Sequence, residues 1–354
     1  MKKIWPRLLF LTLTVVSLYI LWPSLLSVFQ AWPDLVTISP VWFLVMLAFE
    51  CLSFASIWAL ERLAVRTSGW FGIATGQLAG NALSRIVPGG AAAGGAVQYR
   101  MLIDAGVPPA QVATGLTAAG LIGTGTLFAL PLLAIPAVLA GRRVPDGLAA
   151  AGYLGGVVFV IGFIAGLLLL TRDRALLRVA KTSQWAVNRF RRGKEPTTDL
   201  PARLLVERNA IRATLGARWW LALLCALGNW LFDYLALLAA LTAVGAQPRP
   251  SLVLLAYSGS MVLSLIPITP GGLGFVEAGL AGLLALAGVE APALPVLAYR
   301  LVSYWLPIPA GLVAVGLHRR RYASRPIATA MKEIAAEPPP TLKSPRGIRE
   351  EPSA

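Results

Sequence analysis

Long uninterrupted runs of apolar residues recur along the chain and are separated by shorter polar segments. A helix that crosses a bilayer needs about 20 such residues. Six runs reach that length, at 7–28, 40–61, 112–139, 148–171, 219–243 and 292–317. The pattern therefore predicts an all-α polytopic membrane protein with six full spans.

Two further apolar regions, 73–98 and 251–289, are each interrupted near the middle. The interruptions are Pro88-Gly89-Gly90 and Pro270-Gly271-Gly272. Proline lacks the backbone donor that a helix interior uses, and consecutive glycines are poor helix formers. We therefore predict two re-entrant broken-helix hairpins, each entering and leaving the membrane on one side.

The order of these elements suggests an inverted repeat. Each half of the chain is predicted as span, span, broken segment and span, with the first repeat at 1–171 and the remainder of the second at 219–320. If the hairpins enter from opposite faces, the halves are related by a two-fold axis in the membrane plane, as in many transporters. The alternative is two unrelated helix-breaking turns.

Composition supports the membrane assignment and narrows the chemistry. Hydrophobic residues make up 57% of the chain and charged residues only 13%, against roughly 25% charged residues in soluble domains. Cys51 and Cys225 both lie in apolar runs, and His318 is the single histidine. These counts argue against disulfide frameworks, multi-histidine metal sites and Ser-His-Asp chemistry. We expect no enzyme activity, no metal and no cofactor.

The net charge of +15 is explained mainly by topology. With a cytoplasmic N-terminus and both hairpins re-entrant, the inside segments carry 22 Lys and Arg residues and the outside loops carry 3. Basic residues concentrate on the cytoplasmic side of membrane proteins. We therefore expect a multi-pass protein of the cell inner (plasma) membrane with both termini in the cytoplasm, and no nucleic-acid partner.

Two segments outside the predicted spans have distinctive compositions. Segment 172–218 is strongly basic, which is typical of amphipathic helices lying on an anionic leaflet, although a solvated connector fits equally well. The tail at 321–354 is rich in Pro, Glu and Lys and is predicted to be disordered.

Five ionisable residues fall inside the predicted membrane segments, namely Glu50, Arg85, Asp233, Glu277 and Arg300. Each costs about 2.5–3.5 kcal/mol at mid-bilayer on insertion scales, so we expect them to converge and pair. Buried ion pairs that fix helix register are one interpretation. In the other, the arginines receive an anionic headgroup, because a guanidinium donates two parallel hydrogen bonds to phosphate.

The second interpretation assigns roles to particular residues. Backbone amides exposed at the two breaks would add donors for an anion, and Glu50 and Asp233 would balance charge or carry protons. The predicted substrate-binding residues are Arg85, Pro88, Gly89, Gly90, Arg100, Pro270, Gly271, Gly272, Glu277, Arg300 and Tyr304.

Several motifs resemble one membrane-protein family. The runs from Ile266 to Gly279 and from Tyr299 to Pro307 are similar to the signature of the lysylphosphatidylglycerol synthase membrane-region family, also called flippase-like. Asn81, Pro88-Gly89-Gly90 and Tyr99-Arg100-Met101-Leu102 give a looser match in the first half. The resemblance covers roughly residues 7–320. Many members carry a Gly-Glu pair shortly before the matching arginine, whereas this chain has Gly94-Gly95-Ala96-Val97-Gln98 there, with no acid.

This resemblance carries expectations about function. In bifunctional members a soluble domain transfers an amino acid to phosphatidylglycerol, and the membrane half moves the lipid between leaflets. The residues after 320 leave no room for a synthase domain, so the membrane part alone is expected here.

We therefore expect a translocase for a membrane phospholipid or a polyprenyl-phosphate lipid. Two alternatives stay open: a secondary transporter of a small anion, or a non-transporting partner of a polyprenyl-linked glycosyltransferase. A homo-oligomer is also compatible with the sequence.

Overall fold

The computed structural model describes residues 32–87, 90–134, 172–190, 216–247, 249–265 and 270–322, together with scattered residues at 157–168 and 202–209. Within these ranges the regular structure is helical and contains no strand. The predicted spans 7–28 and 148–171 fall outside the continuously described ranges, as do Pro88, Gly89 and the tail after residue 322.

Among the described residues, four helical segments are long and apolar enough to cross a membrane. They are Pro40–Val65, Pro109–Ala134, Trp219–Ala243 and Ala293–Tyr322, each overlapping a predicted span. Large apolar side chains stay exposed on them, for example Leu44, Leu121 and Leu312. Such a surface matches a hydrocarbon environment rather than water. The protein is therefore a multi-pass helical membrane protein, and the six-span total stays a prediction.

The helices are numbered in chain order. Those before residue 200 are α1 (Pro40–Val65), α2 (Trp70–Ile86), α3 (Gly90–Asp104), α4 (Pro109–Ala129) and α5 (Asp173–Phe190). Those after it are α6 (Trp219–Ala243), α7 (Pro250–Ser264), α8 (Phe275–Leu286), α9 (Ala293–Arg300) and α10 (Pro307–Tyr322). A short helix, Trp32–Leu35, precedes α1, and 3₁₀ turns lie at Leu130–Ala134, Gly216–Arg218 and Pro270–Gly272.

Helices α1 and α6 pack together and join the two halves of the chain. The Ser53 hydroxyl donates to the backbone oxygen of Asn229 at 2.9 Å. The Asn229 amide in turn donates to the Ser53 hydroxyl at 2.8 Å and to the Ser53 carbonyl at 3.2 Å. Hydrogen bonds between polar side chains and backbone are a common means of holding membrane helices together.

The first interrupted region forms a hairpin of two antiparallel helices, α2 and α3. A Cβ atom at Gly80 would lie 2.7 Å from the backbone oxygen of Gly94, and one at Gly90 would overlap the backbone of Ser84. Gly76 lies against Gln98 in the same antiparallel register. Small residues let the two backbones approach closely, as is typical of membrane helix contacts.

The second interrupted region, α7 and α8, has the same form. Leu283 packs on Gly259, and Leu263 packs on Gly279, so these helices are also antiparallel. The connection contains Gly271 with φ 57° and Gly272 with φ 74°. Glycine adopts such left-handed conformations without the clash that a Cβ atom causes, which explains why this break is rich in glycine.

The hairpin helices are short for a membrane crossing. They contain 17, 15, 15 and 12 residues in α2, α3, α7 and α8, or about 18–26 Å at 1.5 Å per residue. The hydrocarbon core is about 30 Å thick. The predicted interruption of both apolar regions is therefore observed, whereas their re-entry into the membrane stays a prediction.

The last long helix is interrupted by a π-helical segment, Leu301–Trp305, between α9 and α10. The Leu306 amide donates to the Leu301 carbonyl at 3.1 Å, which is an i to i−5 bond. Pro307 follows directly and has no N–H to offer the Ser303 carbonyl one turn earlier. The proline therefore leaves the Ser303 carbonyl without its usual helical donor.

The basic segment 172–218 is described in part, and its first helix is amphipathic. In α5, Leu176 and Ala180 are buried, whereas Arg174, Arg178 and Lys181 are exposed. This division into an apolar and a basic face fits the predicted amphipathic form. The contact of the basic face with an anionic leaflet stays a prediction.

Candidate functional site

The C-terminal end of α2 is fastened to the π-helical segment by reciprocal hydrogen bonds. Arg85 Nη1 donates to the backbone oxygens of Ser303 and Tyr304 at 2.5 and 2.7 Å. The Tyr304 hydroxyl donates to the backbone oxygen of Arg85 at 2.8 Å. Because Pro307 cannot pair with the Ser303 carbonyl, the guanidinium takes the place of the missing helical donor.

Two guanidinium groups share the ring of Tyr304. The Cζ atom of Arg85 lies 4.9 Å from the ring centroid, and that of Arg300 lies 4.8 Å from it. Tyr304 itself is almost fully buried. A cation within about 6 Å of an aromatic face is attracted to the ring. Tyr304 therefore holds two like charges close to one point inside the helix bundle.

Arg300 also forms the buried ion pair of this site. Its Nε atom donates to Glu277 Oε1 at 2.8 Å, with the two side chains 9% and 18% exposed. The pair is joined through one atom of each group. Within the described ranges, buried Arg300 Nη2 and Glu277 Oε2 have no hydrogen-bond partner. One donor of the fork thus remains available to a ligand.

The break of the second hairpin meets the same tyrosine. A Cβ atom at Gly271 would overlap the Tyr304 hydroxyl. Because Arg85 lies in the last turn of α2 and Gly271 lies in the turn before α8, Tyr304 contacts both interrupted regions. Gly90 and Gly272 take part in the tight turns described above, and the structure describes the backbone of Pro270 but not its side chain.

Acidic side chains lie next to Arg85. Asp233 in α6 accepts a hydrogen bond from Tyr257 and bonds from Tyr299 at 2.9 and 2.8 Å. Glu50 in α1 is 5% exposed, and its buried Oε1 atom has no hydrogen-bond partner among the described residues. The Asp233 carboxyl and the Arg85 guanidinium lie near it, and two neighbouring buried carboxyl groups repel each other unless one of them carries a proton.

These contacts place all five intramembrane charges named from the sequence in one connected cluster, hereafter the Tyr304 cluster. It contains Glu50, Arg85, Asp233, Glu277, Arg300 and Tyr304. The partners come from α1, α2, α6, α8, α9 and the π-helical segment. A buried arrangement of two guanidiniums and three carboxyls can neutralise itself or admit an anion. The roles assigned to these residues stay predictions.

Among the predicted binding side chains that the structure describes, Arg100 lies apart from the others. Its side chain is 67% exposed, and its Nε atom lies 3.6 Å from Asp104 in the same helix. This is an ordinary surface pair at i, i+4, of a kind that contributes about 0.3–0.5 kcal/mol. The structure does not bring Arg100 to the Tyr304 cluster.

Sequence reasoning missed three polar side chains of the interior. Tyr257 and Tyr299 are fully buried but occupy apolar stretches, where nothing local separates them from packing residues. Glu61 is the last position of the predicted span 40–61 and is not among the five intramembrane charges named from the sequence, yet it lies inside α1 with 7% exposure. Its spacing of eleven residues from Glu50 was the available signal, because eleven residues return a helix to nearly the same face.

The comparisons with known proteins agree with this fold. The family model described as lysylphosphatidylglycerol synthase TM region matches residues 9–311. A segment of 100 residues is 34% identical to a UPF0104 membrane protein of Methanothermobacter thermautotrophicus. That alignment spans 28% of this chain and 28% of the relative. No solved structure matches the chain. Since the family model covers most of its length, the chain belongs to the lysylphosphatidylglycerol synthase TM region family of membrane proteins.

Proposed function

We propose that the protein moves a phosphate-bearing lipid between the two leaflets of the cell membrane, without itself catalysing a chemical reaction. The headgroup passes the Tyr304 cluster while the acyl or prenyl chains stay in the bilayer. The observation that carries this proposal is the convergence of Arg85 and Arg300 on Tyr304, with Arg300 Nη2 left without a partner in the described part of the chain. Buried guanidiniums are well suited to phosphate.

The hairpins supply the passage in this proposal. Their helices are shorter than a full crossing, so we infer that α2–α3 dips in from the cytoplasmic side and α7–α8 from the opposite side. Irregular backbone at membrane depth is tolerated only where protein buries it or a wet cavity adjoins it. The backbone at Gly90, Pro270, Gly271 and Gly272 then lies near the headgroup path, and the roles expected of Pro88 and Gly89 fall outside the described residues.

The family supports a lipid substrate more directly than a small anion. Its name refers to a lysylphosphatidylglycerol synthase, whose product is a phospholipid. A phospholipid or a polyprenyl phosphate presents the same phosphate to the Tyr304 cluster as a soluble phosphate ester does. The site could therefore bind either a lipid phosphate or a soluble phosphate, and the experiment has to distinguish these two ligands.

The test uses the purified full chain in liposomes that contain fluorescent phosphatidylglycerol. Dithionite destroys label in the outer leaflet, so translocation appears as loss of label beyond half. We expect Arg300→Ala and Glu277→Gln to slow this loss at least tenfold. Glu290→Gln, at an exposed loop position, is the matched acid control and should translocate normally.

Two other outcomes would assign a different function. Uptake of radioactive inorganic phosphate into the same liposomes, without lipid movement, would indicate a small-anion transporter. If neither cargo moves, and a polyprenyl phosphate probe also stays in its leaflet, the translocation proposal is wrong and a membrane partner role is favoured.

A further inference from the structure

We propose that Glu61 is a proton-binding site, and that a polar row between α1 and α2 connects it to the Glu50–Asp233 carboxyl pair, so that a proton gradient drives headgroup movement. This inference rests on the proposed lipid translocation and adds its energy source. It is carried by the placement of three carboxyl groups inside the bundle.

Glu61 is the first of the proposed proton-binding groups. Its side chain is 7% exposed, and Gln98 Nε2 donates to its Oε2 atom at 2.7 Å. In the described ranges no Lys, Arg or His nitrogen lies within 4 Å of this carboxyl. An ionised carboxylate without a counter-ion is expensive to bury. A buried carboxyl whose polar partner is a neutral amide is suited to taking up and releasing a proton.

The second proposed proton-binding group is the carboxyl pair of Glu50 and Asp233. Because two buried carboxylates repel each other, one proton on the pair is favoured. The ionisable groups that face the pair are Arg85 from α2, Tyr257 from α7 and Tyr299 from α9. One positive charge therefore adjoins two carboxyl groups. The pair can carry one negative charge matched to Arg85, or none when a second proton binds.

Glu50 and Glu61 lie on one side of α1. Eleven residues separate Glu50 from Glu61, which turns an α-helix by three turns and about 20° and advances it about 16 Å. That distance is too long for a direct proton transfer between hydrogen-bonded partners. Polar groups must therefore occupy the interval if a proton is to pass.

Helix α2 provides such groups in the right order. Trp58 in α1 donates to Gln77 Oε1 at 3.1 Å, and Arg85 faces Glu50. The two helices thus run antiparallel, with Gln77 at the Glu61 end and Arg85 at the Glu50 end. Asn81 lies midway at four-residue spacing, and its buried Oδ1 has no hydrogen-bond partner among the described residues. An orphaned amide oxygen at this position can accept from a water that completes the row.

Coupling follows from the position of Arg85. When the carboxyl pair is ionised, its charge competes with a phosphate for the guanidinium. When a second proton neutralises the pair, no carboxylate of the pair offsets the charge of Arg85, and the guanidinium can attract the headgroup. Proton binding and headgroup binding therefore favour one another, and such coupling is reciprocal. A gradient across the membrane then biases the direction in which a loaded headgroup leaves.

The experiment repeats the fluorescent-lipid assay with and without a pH gradient of about one unit. We expect the wild-type rate to change with the gradient by up to about tenfold, the driving force of one proton per pH unit. In Glu61→Gln the ratio of rates with and without the gradient should fall to about one. Glu290→Gln should keep the wild-type ratio, and a thermal melt confirms that each variant is folded.

A second measurement tests Glu61 without transport. Difference infrared spectroscopy of the full chain during a pH titration should show a protonated-carboxyl band that Glu61→Gln removes and Glu290→Gln keeps. A wild-type gradient ratio in Glu61→Gln would overturn the inference, as would a response to sodium in place of protons. Loss of all lipid movement in the wild type would instead contradict the proposed function, and the infrared titration would still decide the site.

Discussion

Tyr304 and Arg85 bind each other's backbone across 219 positions of sequence. The tyrosine hydroxyl donates to the Arg85 carbonyl at 2.8 Å, and the guanidinium donates to the Tyr304 carbonyl at 2.7 Å. This reciprocal link closes the contact between the interrupted region of the first half and the π-helical segment of the second. Any movement of one region relative to the other has to break it.

The first prediction separates the hydroxyl of Tyr304 from its ring. Tyr304→Phe loses one hydrogen bond, which is worth about 1 kcal/mol of unfolding free energy, but keeps the ring between Arg85 and Arg300. Tyr304→Ala also leaves a cavity and exposes two guanidiniums to each other, so its loss should reach about 3–5 kcal/mol. Denaturant unfolding in detergent measures both, and equal losses would show that the ring contacts do not stabilise the fold.

The second prediction concerns the turn at Gly271. Gly271→Ala must place a Cβ atom at φ 57° and against the Tyr304 hydroxyl, so we expect lower thermal stability and at least tenfold slower lipid translocation. Gly282→Ala is the control, because nothing lies within 4 Å of its added Cβ atom and alanine favours a helix interior. Equal behaviour of the two variants would contradict the proposed contact between the turn and the tyrosine.

The third prediction concerns packing of the first hairpin. A Cβ atom at Gly80 would approach the Gly94 carbonyl to 2.7 Å, whereas one at Gly95 meets nothing within 4 Å. Gly80→Ala should therefore lower the melting temperature by several degrees, since separating two backbones costs about 1–3 kcal/mol. Gly95→Ala should leave it unchanged or raise it slightly. A destabilised Gly95→Ala variant would indicate that this face of α3 packs against an element outside the described residues.

The fourth prediction tests the contact between α1 and α6. Ser53→Ala and Asn229→Ala each remove part of a reciprocal hydrogen-bonded pair. A double-mutant cycle should give a coupling of about 0.6 kcal/mol, the average found for polar pairs in membrane helices, and at most about 1.7 kcal/mol. Unfolding in detergent supplies the four free energies. A coupling of zero would mean that the two side chains act independently.

The fifth prediction tests orientation. In a background with Cys51→Ser and Cys225→Ser, a cysteine introduced by Glu290→Cys should react with a membrane-impermeant maleimide from outside intact cells. One introduced by Asp104→Cys should react only after the membrane is opened, because the loop after α3 is proposed to be cytoplasmic. The reverse pattern would invert the topology, and labelling of both from outside would contradict re-entry of one hairpin.

Local rules were sufficient for the long helices in the described part of the chain. Apolar run length alone located Trp219–Ala243 at its observed bounds, because a membrane helix satisfies its own backbone and needs only enough apolar residues. Proline and glycine residues located the two interruptions, again by a local effect. Their effect on φ and on backbone donors acts within one turn.

Such local rules do not predict which buried polar side chains contact each other when they are far apart in the sequence. The sequence identified five buried charges and the rule that such charges must pair, but it contained no sign of which groups would meet. Tyr304, Tyr257 and Tyr299 became polar partners only through helices that fold back on one another.

Glu61 shows the same division most clearly. Its position at the end of an apolar run indicated a solvated loop, whereas packing of α3 against α1 enclosed it beside Gln98. The sequence by itself therefore determined which segments are helical and where they break, since those choices depend on neighbouring residues. Only the tertiary structure decided which charges are buried together, because burial depends on helices that are adjacent in space and distant along the chain.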